Sequence, residues 1–351
     1  MKWIKKIFFS LVKPKIILVE GEGKELLEEA LVSVLRSFLK IKKIKELPLF
    51  FNKEEVLILE KEDFEFLMKD SSLPILILTH FGEIPPDEIF FACEKEKVGE
   101  IGKIVKNLPI FGYLILNHDD ETVRELKEKT RAHSLTFGLG EGASLKASDV
   151  KLNQGTNFKL QCNGIILPVW LEKIFGKEQI YTTLATLCVA KILKLNLVEV
   201  SMVFKNYKSL PGKMRLIDAI KNSWILDDSE SATVFSIIEA LEILGKINWV
   251  KRKIAVLGDV VGAGKYTVEA HETIGERVTK NSDLLFTFGQ RAKFIAKAAF
   301  ENGMEGEKIF SFNTIDEGIK ILKEKIGEGD LILVDGSKEM KMGKIVKEIR
   351  K

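Results

Sequence analysis

The sequence predicts an α/β protein of two domains: a parallel sheet with a small antiparallel β part, followed by a doubly wound sheet. Three observations carry this. The chain has 351 residues, and a domain takes roughly 150. Short continuous apolar runs alternate with longer segments whose apolar residues recur at helical spacing, the pattern of parallel strands covered by helices on both faces. Between residues 134 and 170 this gives way to short strands broken by Gly- and Asn-rich turns, the texture of antiparallel β.

The elements follow in order. Residues 1–12 (MKWIKKIFFSLV) form an amphipathic first helix. Lys13, Pro14 and Lys15 follow it instead of a small-residue cleavage site, so it is not a signal peptide. A packed helix is one reading and a peripheral membrane anchor the other. Residues 15–20 (KIILVE) are a strand and 24–39 a helix, then 55–60 (EVLILE), 74–79 (PILILT) and 111–117 (FGYLILN) are strands. The lysine run at 40–45 is a solvated face. Residues 134–137, 147–153, 157–161 and 165–170 are the antiparallel strands, and 178–193 returns to helix. Leu210-Pro211-Gly212 breaks the pattern, which sets domains at 1–210 and 211–351. The second series has strands at 223–227, 253–257, 283–288, 308–312 and 330–334, with helices such as 233–244 and 290–300 between them.

Composition narrows the function. Lys and Arg number 54 and Asp and Glu 51, a net charge of +3 that excludes a typical nucleic-acid binder. No apolar run approaches the ~18 residues that cross a bilayer. Three widely spaced cysteines (Cys93, Cys162, Cys188) make no disulfide framework or metal pair, which points to a reducing cytoplasm.

Gly21-Glu22-Gly23-Lys24-Glu25 lies between a strand and a helix, where main-chain amides and the helix dipole attract phosphate. The working spacing is G-x-x-x-x-G-K-[ST], whose hydroxyl holds Mg²⁺. Here the Gly-Lys pair is kept, Glu25 replaces the hydroxyl, and Glu20 and Glu22 crowd the loop. Two like charges at ~4 Å repel by about 4 kcal/mol at an effective dielectric of ~20. A plain glycine turn competes with a triphosphate site on these residues.

Leu114-Ile115-Leu116-Asn117-His118-Asp119-Asp120-Glu121 and Thr136-Phe137-Gly138 resemble the Asn-x-Asp-Asp region of the Mur ligases, ATP-dependent enzymes that build the peptidoglycan stem peptide. Leu226-Asp227-Asp228-Ser229, Ala255 to Asp259, His271 to Gly275, and Leu333 to Lys338 are similar, in order, to the D-alanyl-D-alanine-adding branch of that family. The resemblance spans nearly the whole chain. It implies a central P-loop-type domain, a Rossmann-like C-terminal domain, and use of ATP and Mg²⁺ to activate a carboxylate for attack by an amine. The family's N-terminal domain, which grips a UDP-sugar, is expected to be absent.

Carried over residue by residue, the resemblance assigns Gly21, Gly23 and Lys24 to the nucleotide loop and Glu60 to metal. It assigns Asp228 to the ribose, with Lys213 or Arg215 in place of the domain-joining Arg. Ser337 and Lys338 fall in the substrate segment of the C-terminal domain. It also shows departures. The loop's paired threonines become Glu25 and Leu26, and a metal-binding His becomes Pro85. A carbamylated Lys falls at about Ile101, with Lys97 and Lys103 off register. A His near the nucleotide becomes Glu178, and the Lys of Lys-Gly-Ser-Arg becomes Asp335.

The expected protein is therefore a Mur-ligase homologue with an altered ATP and Mg²⁺ site, a pseudoenzyme that binds a peptidoglycan precursor or another Mur-type protein. An active ligase rebuilt around Lys24, Glu60, Asp228 and Lys213 or Arg215, with its substrate domain on a separate subunit, is the alternative. Bland roles are also expected: a turn for His80, a cap or packing role for His271, and a turn and N-cap for Asp119 and Asp120. His118 and His133 have no partner motif. Asp227 and Asp228 end a parallel strand, where open α/β sheets place ligands.

Overall fold

A computed structural model of the chain describes residues 2–81, 88–230 and 233–351, with backbone alone for 2 and 88–97. It is a mixed α/β protein in two compact units. The first comprises Met1–Val150, Phe158–Trp170 and Lys177–Tyr207; the second comprises Lys151–Asn157, Leu171–Gly176 and Lys208–Lys351. The change of unit at Lys208 lies close to the break read at Pro211. The two short excursions at 151–157 and 171–176 were not anticipated, because they are the ends of strands whose other ends belong to the first unit.

The first unit begins with α1 (Lys2–Val12), β1 (Lys15–Glu20), α2 (Lys24–Leu35), β2 (Ile41–Lys43), β3 (Val56–Ile58), α3 (Lys61–Leu67) and β4 (Leu73–Leu78). It continues with α4 (Glu88–Asn107), β5 (Tyr113–Asn117), α5 (Glu121–Glu125), β6 (His133–Gly138), β7 (Leu145–Leu152), β8 (Gly155–Cys162), β9 (Ile165–Glu172), α6 (Lys177–Ile192) and α7 (Leu197–Val203). The strands form one sheet in the order β2-β3-β1-β4-β5-β6-β7-β8-β9. β1, β3, β4 and β5 are apolar because helices cover both faces; Ile16, Leu18, Leu76, Leu114 and Leu116 join Phe9 and Phe64 in one core.

Two expectations are corrected here. Residues 41–43 are not merely a solvated face but an edge strand, parallel to β3. Its lysines sit outward yet are paired, Lys43 with Glu28 and Lys42 with Glu55, so charge on the edge concealed it. β6, placed with the antiparallel part, pairs parallel with both β5 and β7. Antiparallel connection starts only at the turns Asn153-Gln154 and Asn163-Gly164. The latter puts both residues at positive φ (49° and 79°), as a two-residue hairpin turn demands.

The second unit contains β10 (Arg215–Ala219), β11 (Ser223–Asp228), α8 (Val234–Lys246), β12 (Arg252–Gly258), α9 (Thr267–Asn281), β13 (Leu284–Phe288), α10 (Lys293–Glu301), β14 (Ile309–Phe312), α11 (Ile315–Lys325), β15 (Asp330–Asp335) and α12 (Gly343–Ile349). Its order is β10-β11-β15-β12-β13-β14, parallel except for β10. β10 adds a sixth strand where five were read, because RLIDA carries polar residues at an edge. Thr233 and Ser236 cap α8 reciprocally. One core packs beneath α8, α9 and α10, and another beneath α11 and α12.

Candidate functional site

In the first unit the sheet order reverses at β1, whose neighbours β3 and β4 lie on opposite sides, and ligands of open α/β sheets gather beyond the strand ends there. The loop 21–23 occupies that place. Its backbone is fastened to the end of β4: Glu22 N–H donates to the His80 carbonyl at 2.7 Å, and Thr79 Oγ1 to the Glu22 carbonyl at 2.6 Å. Gly21 has φ 111°, and a Cβ there would overlap Thr79 Oγ1 and stand 2.6 Å from the His80 carbonyl oxygen. Gly23 is the left-handed N-cap of α2 (φ 73°). Gly21, Gly23 and Lys24 thus share one strand-to-helix turn.

The side chains around the loop are acidic. Glu178, in the first turn of α6, puts its carboxylate against Gly23, on the spot a Cβ would fill. Lys24 Nζ lies 3.8 Å from Glu20 Oε2. Burial holds the Glu20 carboxyl above its usual range; Lys24 and Lys61 draw it down, while Glu28 and Glu60 push it up. Glu22 Oε2 is 3.7 Å from His80 Nδ1, and it is the His80 carbonyl that takes part in the turn.

The metal assignments separate. Glu60 is exposed at the N-cap of α3, close enough to Glu20 to affect its titration. Ile101 is buried in the core, which removes a ligand at that register; Lys103 is exposed. Pro85 lies outside the described residues, as does the Lys97 side chain. Among the described residues no group of three or more His, Cys, Asp or Glu converges to hold a metal ion.

Asp119 and Asp120 fasten the structure, as the turn reading had it. Asp120 Oδ1 caps α5 by accepting from Val123 N–H at 3.0 Å, and its Oδ2 accepts from Phe81 N–H. Asp119 accepts from the amides of Leu139 (2.6 Å) and Gly140 (2.8 Å) and from Tyr181 Oη. His118 Nε2 meets the Glu141 carbonyl, and the His133 ring packs on Tyr113.

In the second unit Asp227 and Asp228, at the end of β11, tie down the 212–214 turn. Asp227 Oδ2 accepts from Gly212 N–H at 2.9 Å and Asp228 Oδ1 from Met214 N–H at 3.2 Å. Arg215 Nη1 donates to the Ser209 carbonyl, and its Nη2 stands 3.9 Å from Asp227. Ser337 is buried, its Oγ accepting from Val261 N–H, whereas Lys338 is exposed, 3.8 Å from Glu230. Asp335, opposite Asp228 in the parallel register of β11 and β15, is fully buried, and neither carboxyl oxygen makes a well-formed hydrogen bond. Burial first, then Asp228, raises its pKa well above the usual aspartate range, with the Gly336 amide and Lys213 opposing. His271 is a buried packing residue: Nδ1 donates to the Thr267 carbonyl and Nε2 accepts from Val260 N–H, the neutral tautomer. Burial also lowers its pKa.

Glu178 and Asp335 were not chosen as site residues from sequence. Only the family register singles them out, since neither lies in a local motif of its own.

Residues 90–190 match the Mur ligase middle domain, and 212–338 the Mur ligase glutamate ligase domain. The UDP-N-acetylmuramoyl-tripeptide–D-alanyl-D-alanine ligase of Bacillus subtilis is 22% identical over 294 residues, covering 82% of this chain and 62% of that enzyme. The UDP-N-acetylmuramoylalanine–D-glutamate ligase of Bacillus cereus is 24% identical over 285 residues, covering 80% and 58%. The chain thus spans less than two thirds of the length of these relatives. In fold it is similar to MurF ligase from Thermotoga maritima in complex with ADP (TM-score 0.78, 19% identity, 98% of this chain and 81% of that one). It is also similar to MurF from Acinetobacter baumannii (TM-score 0.79, 18% identity, 98% and 78%).

Proposed function

We propose, from the premise that the chain belongs to the Mur ligase family, that it serves peptidoglycan precursor metabolism by binding a precursor or another Mur-type protein rather than by ligation. The observation that carries this reading is the Glu178 carboxylate against Gly23. A carboxylate at the mouth of a phosphate loop opposes the charge the loop exists to hold. One contact at ~4 Å costs about 4 kcal/mol at an effective dielectric of ~20, close to a thousandfold in affinity.

The other loop residues point the same way. Glu25 and Leu26 supply no hydroxyl for Mg²⁺, and Lys24 already faces Glu20. The residues present do not fit magnesium ATP in the family's manner. Buried free thiols at Cys162 and Cys188 suit a reducing compartment, and we place the protein in the cytoplasm.

One observation favours a second reading. Gly21, Gly23 and Lys24 keep the strand–loop–helix backbone, on which an active D-alanyl-D-alanine-adding ligase could be rebuilt with Glu60, Asp228 and Lys213 or Arg215, using a separate substrate-binding subunit. Calorimetric titration with Mg-ATP separates the two. The proposal expects no saturable binding by the native chain or by Lys24→Ala, and a gain in Glu178→Gln. Micromolar binding by the native chain that is lost in Lys24→Ala would overturn it in favour of the ligase.

A further inference from the structure

We propose that α1 and the neighbouring Phe50 form a docking surface for an anionic lipid bilayer, on which the protein lies peripherally. The helix is apolar on both sides. Phe9 is fully buried beneath it in the core of the first unit. Its other side presents Trp3, Ile4, Ile7 and Leu11 at 73%, 57%, 41% and 77% exposure, positions separated by one, three and four residues and so gathered on one face. Phe50, 80% exposed, continues this surface through an edge-on contact with Phe8 at 6.0 Å. An apolar patch of this kind on a soluble unit marks an interaction site.

Charge decides the partner. Residues 1–15 carry five lysines and no acid, so the chain's net charge of +3 leaves −2 for the other 336 residues. That surplus of lysine lies in the segment that carries the exposed apolar face, although Lys15 belongs to β1 and pairs with Glu54. Lys13 is exposed at the helix end, and Lys6 sits over the Phe66 ring at 3.6 Å. Lys5 is 3.8 Å from Glu46, and Ser10 bonds Asp70; these contacts hold the helix onto the unit and leave its outward face apolar. Apolar side chains including Trp, on a helix that carries lysines and no acid of its own, match the interface of an anionic bilayer, where the apolar groups enter the headgroup boundary and the lysines meet lipid phosphates. No helix among the described residues is long and apolar enough to cross a membrane, so the contact is lateral.

The test is co-sedimentation of the full chain with vesicles of phosphatidylglycerol and phosphatidylcholine in equal parts, and of phosphatidylcholine alone, with Trp emission recorded alongside. The expected result is partition onto the anionic vesicles only, weakened by salt, with a blue shift that is lost in Trp3→Ala. Ile7→Glu combined with Leu11→Glu should weaken partition at least about tenfold. The circular dichroism of that variant should be unchanged, since both side chains are exposed. Absence of binding to anionic vesicles would overturn the proposal, as would equal binding by the double variant. Concentration-dependent dimerisation abolished by the same variant, without vesicle binding, would overturn it in favour of a second copy. None of these readouts involves nucleotide, so the result is independent of the proposed function.

Discussion

Replacing Asp335 with Asn should flatten the pH dependence of the second unit's stability. Asp335 is fully buried, beside Asp228, with no well-aligned donor to either oxygen. Burial raises its pKa well above the ordinary aspartate value of 3.8, and Asp228 adds to this. The folded chain therefore holds this proton to a higher pH than the unfolded chain. Between those two values the native state binds more protons, so stability falls as pH rises, at up to about 1.4 kcal/mol per pH unit. The stabilising contribution is complete below the unfolded value and lost as pH passes the folded one. Asn has nearly the same shape and cannot ionise, so the stability of the variant lacks this slope. The assay is urea unfolding of both proteins from about pH 4.5 to 8, followed by emission of Trp224 and Trp249, which pack edge-on at 5.0 Å within this unit. The difference between the Asp335→Asn variant and the native protein should grow with pH in favour of the variant, then level off. A constant difference across the range would refute the reasoning and mean that Asp335 finds its charge compensated.

Arg252 grips buried Asp330 with two bonds, Nε at 3.1 Å and Nη2 at 2.6 Å; Arg252→Ala should cost about 2–3 kcal/mol in urea unfolding, with Lys rescuing only part because it cannot form the fork. Gly275 lets α9 approach α10, since a Cβ there would stand 2.5 Å from the Ile295 carbonyl and 2.7 Å from Ala298 Cβ; Gly275→Ala should destabilise by about 1–3 kcal/mol, and a neutral result would show that the helices can part. Burial pushes the Cys188 thiol far up, so maleimide should leave Cys188 unmodified in the folded chain at pH 8 and modify it in urea, as peptide mass analysis can show.

What the sequence discloses depends on whether the signal is local. β1, β4, β5 and β15 are legible because burial on both faces makes them continuous apolar runs, and the cap at Asp120 because its side chain bonds an amide three residues on. β2 and β10 are illegible because they are edge strands, where IKK and RLIDA keep polar side chains toward water and half of the burial pattern is missing. The strand ends at 151–157 and 171–176 pass to the second unit without any break in pairing, so no linker composition marks them. The loop 21–24 is readable as a strand-to-helix turn, but its electrostatics are not: Glu178 reaches Gly23 from a helix more than 150 residues away. The same holds for Asp335, whose burial and company follow from pairing with β11.

These two acids bear jointly on the functional reading. Glu178, on α6 of the first unit, and Asp335, at the end of β15 in the second, each replace, in the register of the resemblance, a group suited to donating to a ligand. A single exchange of that kind could be absorbed by a neighbouring cation. At Gly23 the nearby cation, Lys24, already faces the Glu20 carboxylate. At Asp335 the opposing cation is Lys213, and the carboxyl pKa is nevertheless raised, so Lys213 does not offset burial and Asp228. At Gly23 the negative charge is therefore not cancelled, and an anionic ligand there meets repulsion in a partly desolvated setting; Asp335 instead keeps its proton, so the cation of the family register gives way to a neutral group. A ligand suited to the loop is neutral or cationic where it meets Glu178. If Glu178→Gln leaves affinity for Mg-ATP at the native level, this electrostatic account fails even should the fold assignments stand.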